Sequence, residues 1–443
     1  MKKFFVLIIA TILILVNGLT VAAETPTAIS NESDLMAMTG KGDYFLKNDI
    51  VLSGSFTPVA RFSGNFDGRG KKIVNLKITV NANTDESVYA GLFGKLDYGS
   101  VKNLTLENVK ISVAGGDTVY AGAVAGNVIA GSISNCRVSG EIEVNSSGAD
   151  VHIGAIAGKS IGTVSLCESS AKITANATRA LVGGIVGEHS RTEFFIEKCI
   201  NFGDITVSAT ADTNYLGGIV AKTMNTIENC ANFGSVSLSA AGQGWVGGIA
   251  AEITNGEINT CYSGGALNCN AKTEGVTDPI AAQHKNKFSN NYYLDKIISG
   301  LNTANVKTAS ALEGKSVSNA SIFSGFDFNG TWQITANGPT LKCITAAKVT
   351  VDQKEETTSS APLGSVGSSS AGSGNSSVSG SAAESGSVSS NESRPYDDSL
   401  IDVESVPGKN TPPRWVFGII VLVVAIGAAA VIFITYNKNH FFK

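Results

Sequence analysis

Two glutamates have the residue type and spacing that acid–base chemistry requires. Glu197 and Glu228 lie 31 residues apart, which is also the interval between several cysteines of the chain. Glycoside hydrolysis uses two carboxyl groups about 5–9.5 Å apart, and equivalent positions on neighbouring coils of a repeat array would supply that separation. Such an array stacks every outward-facing residue, so the spacing alone favours a shared structural position. A carbohydrate-active enzyme, either a glycan hydrolase or a lyase, is therefore the alternative to a protein without enzymatic activity.

Other combinations of reactive residues are weaker. Gly158-Lys159-Ser160-Ile161-Gly162 matches the letters Gly-x-Ser-x-Gly, but a nucleophile elbow needs a helix after the serine, and no helical pattern follows. No His-Glu-x-x-His motif is present, and the histidines show no metal-ligand spacing; they are His152, His189, His284 and His440. We therefore predict no catalytic, cofactor-binding or metal-binding residues, and no cofactor.

A glycine-rich turn contains the pair Asp67 and Arg69. Glycines at positions 64, 68 and 70 surround the two residues. Aspartate in such a turn commonly accepts hydrogen bonds from backbone amides, and glycine supplies the positive φ angles. We interpret the pair as a structural turn and not as a catalytic or anion-binding site.

Five of the seven cysteines recur at one phase of the sequence. They are separated by 31, 32, 31 and 31 residues, and they are Cys136, Cys167, Cys199, Cys230 and Cys261. In-register cysteines would lie within disulfide distance, but their Cβ vectors would be parallel and their number is odd. Paired Cys-x₂-Cys motifs for zinc are absent. We predict a reduced, buried column of thiols.

The constant interval is typical of a repeat array. Each repeat has a small apolar segment such as Gly217-Gly218-Ile219-Val220, then a cysteine segment, then a third segment. The third segments are centred on Ile111, Ile142, Ile173, Ile205, Val236 and Leu267. Val, Ile, Thr and Ser predominate, which favours strands. We predict an all-β fold, a right-handed parallel β-helix with three short strands in each coil of about 31 residues and about seven coils; a β-propeller is the less favoured alternative.

The third segments also predict how the coils stack. Equivalent apolar residues lie above one another in a parallel array, so those six form a core column. The residues just before them point outwards, because side chains alternate along a strand; they are Lys110, Glu141, Lys172, Asp204 and Ser235. We interpret this charged column as a device that sets register, not as a binding site.

Composition shifts divide the rest of the chain. Lys2 and Lys3 before an apolar run indicate an export signal, and an uncharged stretch near the C-terminus is long enough to cross a bilayer. Phe323, Phe326 and Trp332 suggest a C-terminal cap with its own aromatic core. The predicted segments are a signal peptide (1–23), an N-terminal cap (24–54), the β-helix (55–292), a C-terminal cap (293–346), a Ser/Gly-rich disordered stalk (347–412), a transmembrane helix (415–436) and a cytoplasmic tail (437–443).

Three parts of the chain resemble a known repeat family. Gly-Gly-Ile-Val followed by Asn229-Cys230-Ala231-Asn232-Phe233-Gly234 is similar to the GLUG repeat of bacterial surface proteins, which also occurs beside IgA-specific metallopeptidases. Residues 64–78 resemble the entry motif of such arrays. Their closing segment is similar to Asn291-Tyr292-Tyr293-Leu294, followed by Trp332 and Pro339-Thr340-Leu341. The resemblance covers roughly residues 30–345 and departs at Ala123 and Ala155, which replace a glycine. It implies an exported β-helical module, and it brings no catalytic residues.

These observations predict a membrane-anchored bacterial cell-surface protein. The bulk of the chain would be extracellular, with the N-terminus outside and the C-terminus in the cytoplasm, and its role would be adhesion or structure at the envelope. Expected partners are the membrane, through helix 415–436, and glycans or surface proteins of a host or neighbouring cell. The formal net charge of −4 argues against nucleic acid, which requires a basic surface.

Overall fold

The computed structural model describes residues 25–342, except positions 84, 192, 212, 286–287, 296, 299–307 and 313–316. The predicted signal peptide, stalk, transmembrane helix and tail therefore all lie outside the described residues. No helix in the described part of the chain has the length and apolar character needed to cross a membrane.

The described residues form a parallel β-solenoid of about seven turns. Three sheets run along it, and strands within each sheet pair in parallel with the coils before and after. This confirms the predicted all-β, coil-stacked class. The described residues contain little helix: Glu32–Met36, whose N-cap Asn31 accepts from the Asp34 amide, and short 3₁₀ turns such as Ala320–Ile322.

Sheet A has one long continuous strand in each of two coils, Phe93–Lys102 and Ala125–Ser134. In the later coils two shorter strands, separated by a short interruption, take its place. Its strands are Thr27–Ile29, Tyr44–Leu46, Val59–Phe62, Asn65–Asp67, Phe93–Lys102, Ala125–Ser134, Ala157–Ser160, Thr163–Ser165, Val186–His189, Ile196–Glu197, Val220–Thr223, Ile227–Glu228, Ala250–Ile253, Ile258–Asn259 and Ala281–His284.

Sheet B carries the third segments of the repeats. Its strands are Ile50–Val51, Lys72–Val74, Lys77–Asn81, Thr105–Ala114, Arg137–Asn145, Glu168–Ser169, Lys172–Ala177, Ile200–Asn201, Ile205–Ala209, Ala231–Asn232, Val236–Ala240, Tyr262–Ser263, Leu267–Ala271, Tyr292–Leu294 and Ser310–Leu312.

Sheet C is the narrowest face of the solenoid. Its strands are Val88–Ala90, Thr118–Ala121, Asp150–Gly154, Arg179–Gly183, Thr213–Gly217, Gln243–Gly247 and Gly275–Asp278. An antiparallel hairpin, Trp332–Thr335 with Gly338–Leu341, stands apart from the three sheets.

The predicted core column is confirmed. Ile142 pairs in register with Ile111 and with Ile173, and the series continues through Ile205, Val236 and Leu267. All six side chains are buried. Lys110, Glu141 and Lys172 are exposed on neighbouring rungs, as expected for the outward column.

The prediction of three strands per coil is wrong in detail. Each coil has three faces, but in the later coils the strands of sheets A and B are each divided in two, as in Val220–Thr223 and Ile227–Glu228. The small apolar segments are not single strands but contain a bend: Gly218 and Ile219 join the sheet C strand that ends at Gly217 to the sheet A strand that begins at Val220. In this coil the bend requires glycine, because a Cβ on Gly218 would lie 2.2 Å from the Gly248 oxygen of the next coil.

The cysteines also lie at a corner and not within a strand. Each one follows a residue with positive φ between sheets A and B. The residues in this left-handed conformation are Asn103, Asn135, Leu166, Lys198, Asn229 and Thr260, with φ between 51° and 58°. Asn135 Nδ2 donates to Asn103 Oδ1 at 2.8 Å. Asparagine tolerates this conformation, whereas most other side chains are strained in it.

Leu166→Asn should therefore stabilise the protein. We expect a gain of about 1 kcal/mol, because asparagine relieves the left-handed strain and can extend the hydrogen bonds of Asn135. The measurement is the denaturant midpoint of unfolding. Leu166→Ala is the control, since alanine keeps the strain and adds no amide; a gain of equal size in that variant would contradict the explanation.

The C-terminal aromatics do not form a core of their own. Phe323, Phe326 and Trp332 pack against the outer face of sheet B, where they share a cluster with Ile200, Ala231, Tyr262 and Tyr292. Trp332 Nε1 donates to Asn229 Oδ1 at 3.0 Å. The apolar outer residues of sheet B require this cover, so residues 317–341 lie along the side of the solenoid.

Candidate functional site

The structure brings Glu197 and Glu228 together. They are register partners on sheet A and line a shallow pocket of ≈ 190 Å³ with Phe195, Ile196 and Thr226. Glu197 is half-buried and Glu228 is exposed. Acid–base catalysis by two carboxyls depends on surroundings that separate their protonation states. These two occupy equivalent positions on one open face, so the repeat explains their proximity.

Ser160 and His189 have structural roles. Ser160 is buried; its Oγ donates to the Gly162 carbonyl at 3.0 Å, and strand Thr163–Ser165 follows instead of a helix. His189, its partner on the next rung, lies 2.9 Å from the same carbonyl through Nε2. Asn225 Nδ2 lies 3.0 Å from His189 Nδ1. Burial lowers the pKa of His189 to about 4, which keeps the imidazole neutral.

The turn at Asp67 has the predicted form. Asp67 Oδ1 accepts from the Arg69 amide at 2.8 Å, and Arg69 and Gly70 both have positive φ. The Arg69 guanidinium lies over the ring of Phe45 at 3.4 Å from its centroid. Both charged residues therefore serve the local fold.

The cysteine column is buried and its thiols are free. Each Sγ donates to the carbonyl two residues earlier, over 3.2–3.4 Å. Burial raises the pKa of Cys199 and Cys230 well above the ordinary thiol value. The thiols of Cys199 and Cys230 therefore lack the thiolate character of reactive cysteines. Among the described residues, no group of His, Cys, Asp or Glu has metal-binding geometry.

The outer face of sheet C carries an aromatic column that the sequence analysis did not predict. Its members are register partners on successive rungs: Tyr89, Tyr120, His152, Leu181, Tyr215 and Trp245. Neighbouring rings are nearly parallel, with centroids 5.1 Å apart for Tyr89–Tyr120, 4.9 Å for Tyr120–His152 and 4.9 Å for Tyr215–Trp245. Only Leu181 interrupts the series among these six positions.

A second column faces it from sheet A. Its members are Lys95, Asn127, Lys159, Glu188, Lys222 and Glu252. Lys95 Nζ lies 4.2 Å from the centroid of the Tyr89 ring, and Lys222 Nζ lies 4.4 Å from that of Tyr215. We call the space between the two columns the corner groove.

The corner groove is concave. At a convex corner, the outward side chains of two adjoining sheets diverge. Here Lys95 contacts Tyr89, and Lys222 contacts Tyr215, across the corner. Next to the bend, sheet A lies close against sheet C: a Cβ added to Gly158 of strand Ala157–Ser160 would lie 2.6 Å from the Ala121 nitrogen and 2.7 Å from the His152 oxygen. Gly218 lies deeper in the fold: a Cβ added to it would lie 2.3 Å from the Asn232 side chain of sheet B. The glycine-rich bend is therefore folded inwards, and the two columns form the walls of a groove.

Ion pairs hold the groove walls. Glu188 Oε2 lies 3.2 Å from Lys159 Nζ and 3.1 Å from His152 Nδ1, although the latter contact lacks hydrogen-bond angles. Burial would raise the pKa of Glu188, but His152 and Lys159 outweigh it and lower the pKa to about 2. Lys222 and Glu252 pair at 2.9 Å, and Arg179 Nη2 donates to Asp150 Oδ2 at 2.6 Å. Most charges of the walls are thus paired within the protein.

The sequence contained a signal for this groove. Each aromatic lies two residues before the first glycine of a repeat, as in Tyr120-Ala121-Gly122 and Trp245-Val246-Gly247, and a charged residue follows the bend in most copies. The pattern is visible only once these positions are known to lie outside the core. The fold and the groove together define the class of the chain: a parallel β-solenoid with an aromatic-lined lateral groove.

Comparisons with known proteins give partial likenesses. No family model matches the chain. Over 160 residues it is 35% identical to halomucin from Haloquadratum walsbyi (strain DSM 16790 / HBSQ001), an alignment that covers 31% of this chain. The chain spans only 2% of the length of halomucin. A solved structure from Bacteroides ovatus, provisionally described as an immunoglobulin A1 protease, is 19% identical, with a TM-score of 0.45 over 72% of this chain and 92% of that chain.

Proposed function

We propose that this chain is a cell-surface protein whose β-solenoid is a binding module without enzymatic activity. The observation that carries the proposal is the corner groove. Partly open aromatic rings beside hydrogen-bonding side chains, set in a concave surface, are the usual composition of a ligand site. The similarity to halomucin fits a surface protein. Residues 1–23 would direct export, and helix 415–436 would hold the chain in the membrane, with the solenoid outside and residues 437–443 in the cytoplasm.

The proposed ligands are glycans or surface proteins of a host or neighbouring cell. A repeat array offers the same chemical group on every rung, so it suits extended or repetitive partners. The groove supplies aromatic contact area at low cost in side-chain entropy, because each ring has few rotatable bonds. The proposal also includes a relationship between this array and the GLUG repeat, and the sequence of residues 217–236 is the reason for it.

Protease treatment of intact cells tests the surface location. We expect cleavage within residues 347–412 to release a fragment containing the solenoid into the medium, while residues 437–443 stay inside the cell. Flexible segments of low apolar content are cut readily. The readout is immunoblotting with one antibody to the solenoid and one to the C-terminus. A chain lacking residues 415–443 is the control and should appear in the medium without protease; a solenoid that protease cannot reach would contradict the proposal.

A glycan-cleaving activity is the second candidate, and the adjacency of Glu197 and Glu228 is what favours it. We expect no turnover of a polysaccharide panel by the full-length chain. Turnover that disappears in both Glu197→Gln and Glu228→Gln would assign the pocket a catalytic role, because amides of the same shape lack acid–base function.

A further inference from the structure

The partly exposed aromatic rings are the first feature of the corner groove that limits which class of ligand it can bind. Parallel rings in full contact would be separated by about 3.5 Å, the usual distance between carbon atoms in contact. The centroids of Tyr215 and Trp245 are 4.9 Å apart with an interplanar angle of 12°. That distance is close to the spacing of the rungs, so the two rings are not in full face-to-face contact. Tyr215 and Trp245 are half-buried, as is Tyr120.

The charge balance of the walls is the second feature. Lys222 is paired with Glu252, Lys159 with Glu188, Arg179 with Asp150 and Arg61 with Asp97. Lys95, the remaining cation of the sheet A column, lies over the ring of Tyr89. An acidic ligand would need cations that are not already neutralised, and a basic ligand would need the reverse. The walls instead offer paired charges that can donate to and accept from hydroxyl groups. Aromatic faces beside such donors and acceptors suit the apolar face and hydroxyl rim of an uncharged sugar ring.

The direction of the groove is the third feature. The aromatic residues repeat once per rung along the solenoid, but the rings of Tyr89 and His152 are buried. From the partly exposed Tyr120 to Trp245 there are four rung steps. At about 4.8 Å for each step, this length is about 19 Å. Leu181 divides it into two aromatic platforms: Tyr120, stacked between Tyr89 and His152, on one side, and Tyr215 with Trp245 on the other. A ligand that contacts both platforms must be extended and must run parallel to the solenoid axis.

We infer that the corner groove binds an uncharged linear polysaccharide along the solenoid axis, with one contact region on each aromatic platform. This inference rests on the proposed function, because it assigns a ligand class to the same groove. It differs from that proposal in excluding acidic glycans and proteins as the ligand. It also requires affinity to depend on ligand length, since a short oligosaccharide reaches one platform and a long one reaches both.

Leu181 indicates which substitutions in the aromatic column should leave the fold intact. Leu181 occupies the aromatic column natively and is buried between His152 and Tyr215. Leucine is therefore compatible with this column, and Tyr120→Leu and Trp245→Leu should fold. Tyr98→Leu is the matched control, because Tyr98 is an exposed aromatic (61%) outside the column. Circular dichroism and the melting temperature of each variant establish that the fold is kept.

The experiment measures binding of the full-length chain to oligomers of β-linked glucose, mannose and N-acetylglucosamine, from disaccharide to octasaccharide, by calorimetry. For at least one series we expect affinity to rise about tenfold or more once the ligand spans about 19 Å. Trp245→Leu and Tyr120→Leu should each lower the affinity of the long ligand by about tenfold, whereas Tyr98→Leu should not. Affinity should change little with salt, because uncharged ligands are not screened.

Three results would overturn the inference. Equal affinity for short and long oligomers would remove the axial arrangement but leave the surface-binding function in place. Salt-sensitive binding to an acidic oligosaccharide, with no binding to the neutral series, would refute the ligand class alone. Unchanged binding in all groove variants would show that another surface takes the glycan. The protease experiment on intact cells reports separately on the proposed function.

Discussion

Gly218→Ala should be severely destabilising, with a loss of about 3 kcal/mol or more in the free energy of unfolding. A Cβ at this position would lie 2.2 Å from the Gly248 oxygen and 2.3 Å from the buried Asn232 side chain. Neither neighbour can move freely: the first is backbone, and Asn232 accepts from Asn201 at 3.0 Å and donates to the Gly234 carbonyl at 2.9 Å. The measurement is denaturant unfolding followed by circular dichroism.

The chain offers a matched control and a partial rescue for this variant. Gly54→Ala should be nearly neutral, since a Cβ at Gly54 has no neighbour within 4 Å. An earlier coil has an alanine, Ala155, at the position equivalent to Gly218. That coil has Ser169 at the position where the next two coils have Asn201 and Asn232. Adding Asn232→Ser to Gly218→Ala should therefore recover part of the lost stability. An alanine variant as stable as the parent would show that the bend is looser than the structure indicates.

Acid should unfold the protein partly through His189. Its pKa is lowered from 6.5 to about 4 by burial, so between these values the unfolded chain binds a proton that the folded chain does not. Stability is then fully present above about pH 6.5 and falls as the pH decreases towards 4, with a total loss of about 3 kcal/mol. The measurement is the free energy of unfolding by denaturant from pH 7 to pH 4.5.

The variant His189→Gln should remove much of this pH dependence. Glutamine can keep a hydrogen bond to the Gly162 carbonyl but does not titrate. The exposed His284 is the control, and His284→Gln should leave the slope unchanged. Glu188, with its pKa of about 2 lowered from 4.5, loses its contribution only below about pH 4.5, so it does not mask the effect. A parent protein whose stability is constant between pH 7 and pH 4.5 would contradict the assignment.

The corner groove shows why part of the site was not predictable. The proximity of Glu197 and Glu228 was predicted from the sequence, because one repeat interval separates them. Residues one interval apart become partners on neighbouring rungs of a stacked array. The groove depends instead on the angle between two sheets. Tyr215 and Lys222 are only seven positions apart, but their contact requires the intervening glycines to bend inwards, which no spacing specifies. The C-terminal aromatics were misassigned for a similar reason, since Trp332 contacts Asn229 across 103 residues.

The sequence by itself determined that coils stack in parallel, which residues share a column and which columns are buried. The physical reason is that a constant repeat length places equivalent residues one rung apart, and burial then follows from side-chain type. Only the tertiary structure decided which segments are bends, that the bend between sheets C and A is concave, and what covers the outer face of sheet B. These features depend on steric contacts between faces, such as Gly218 against Asn232, and such contacts are absent from the periodicity of the chain.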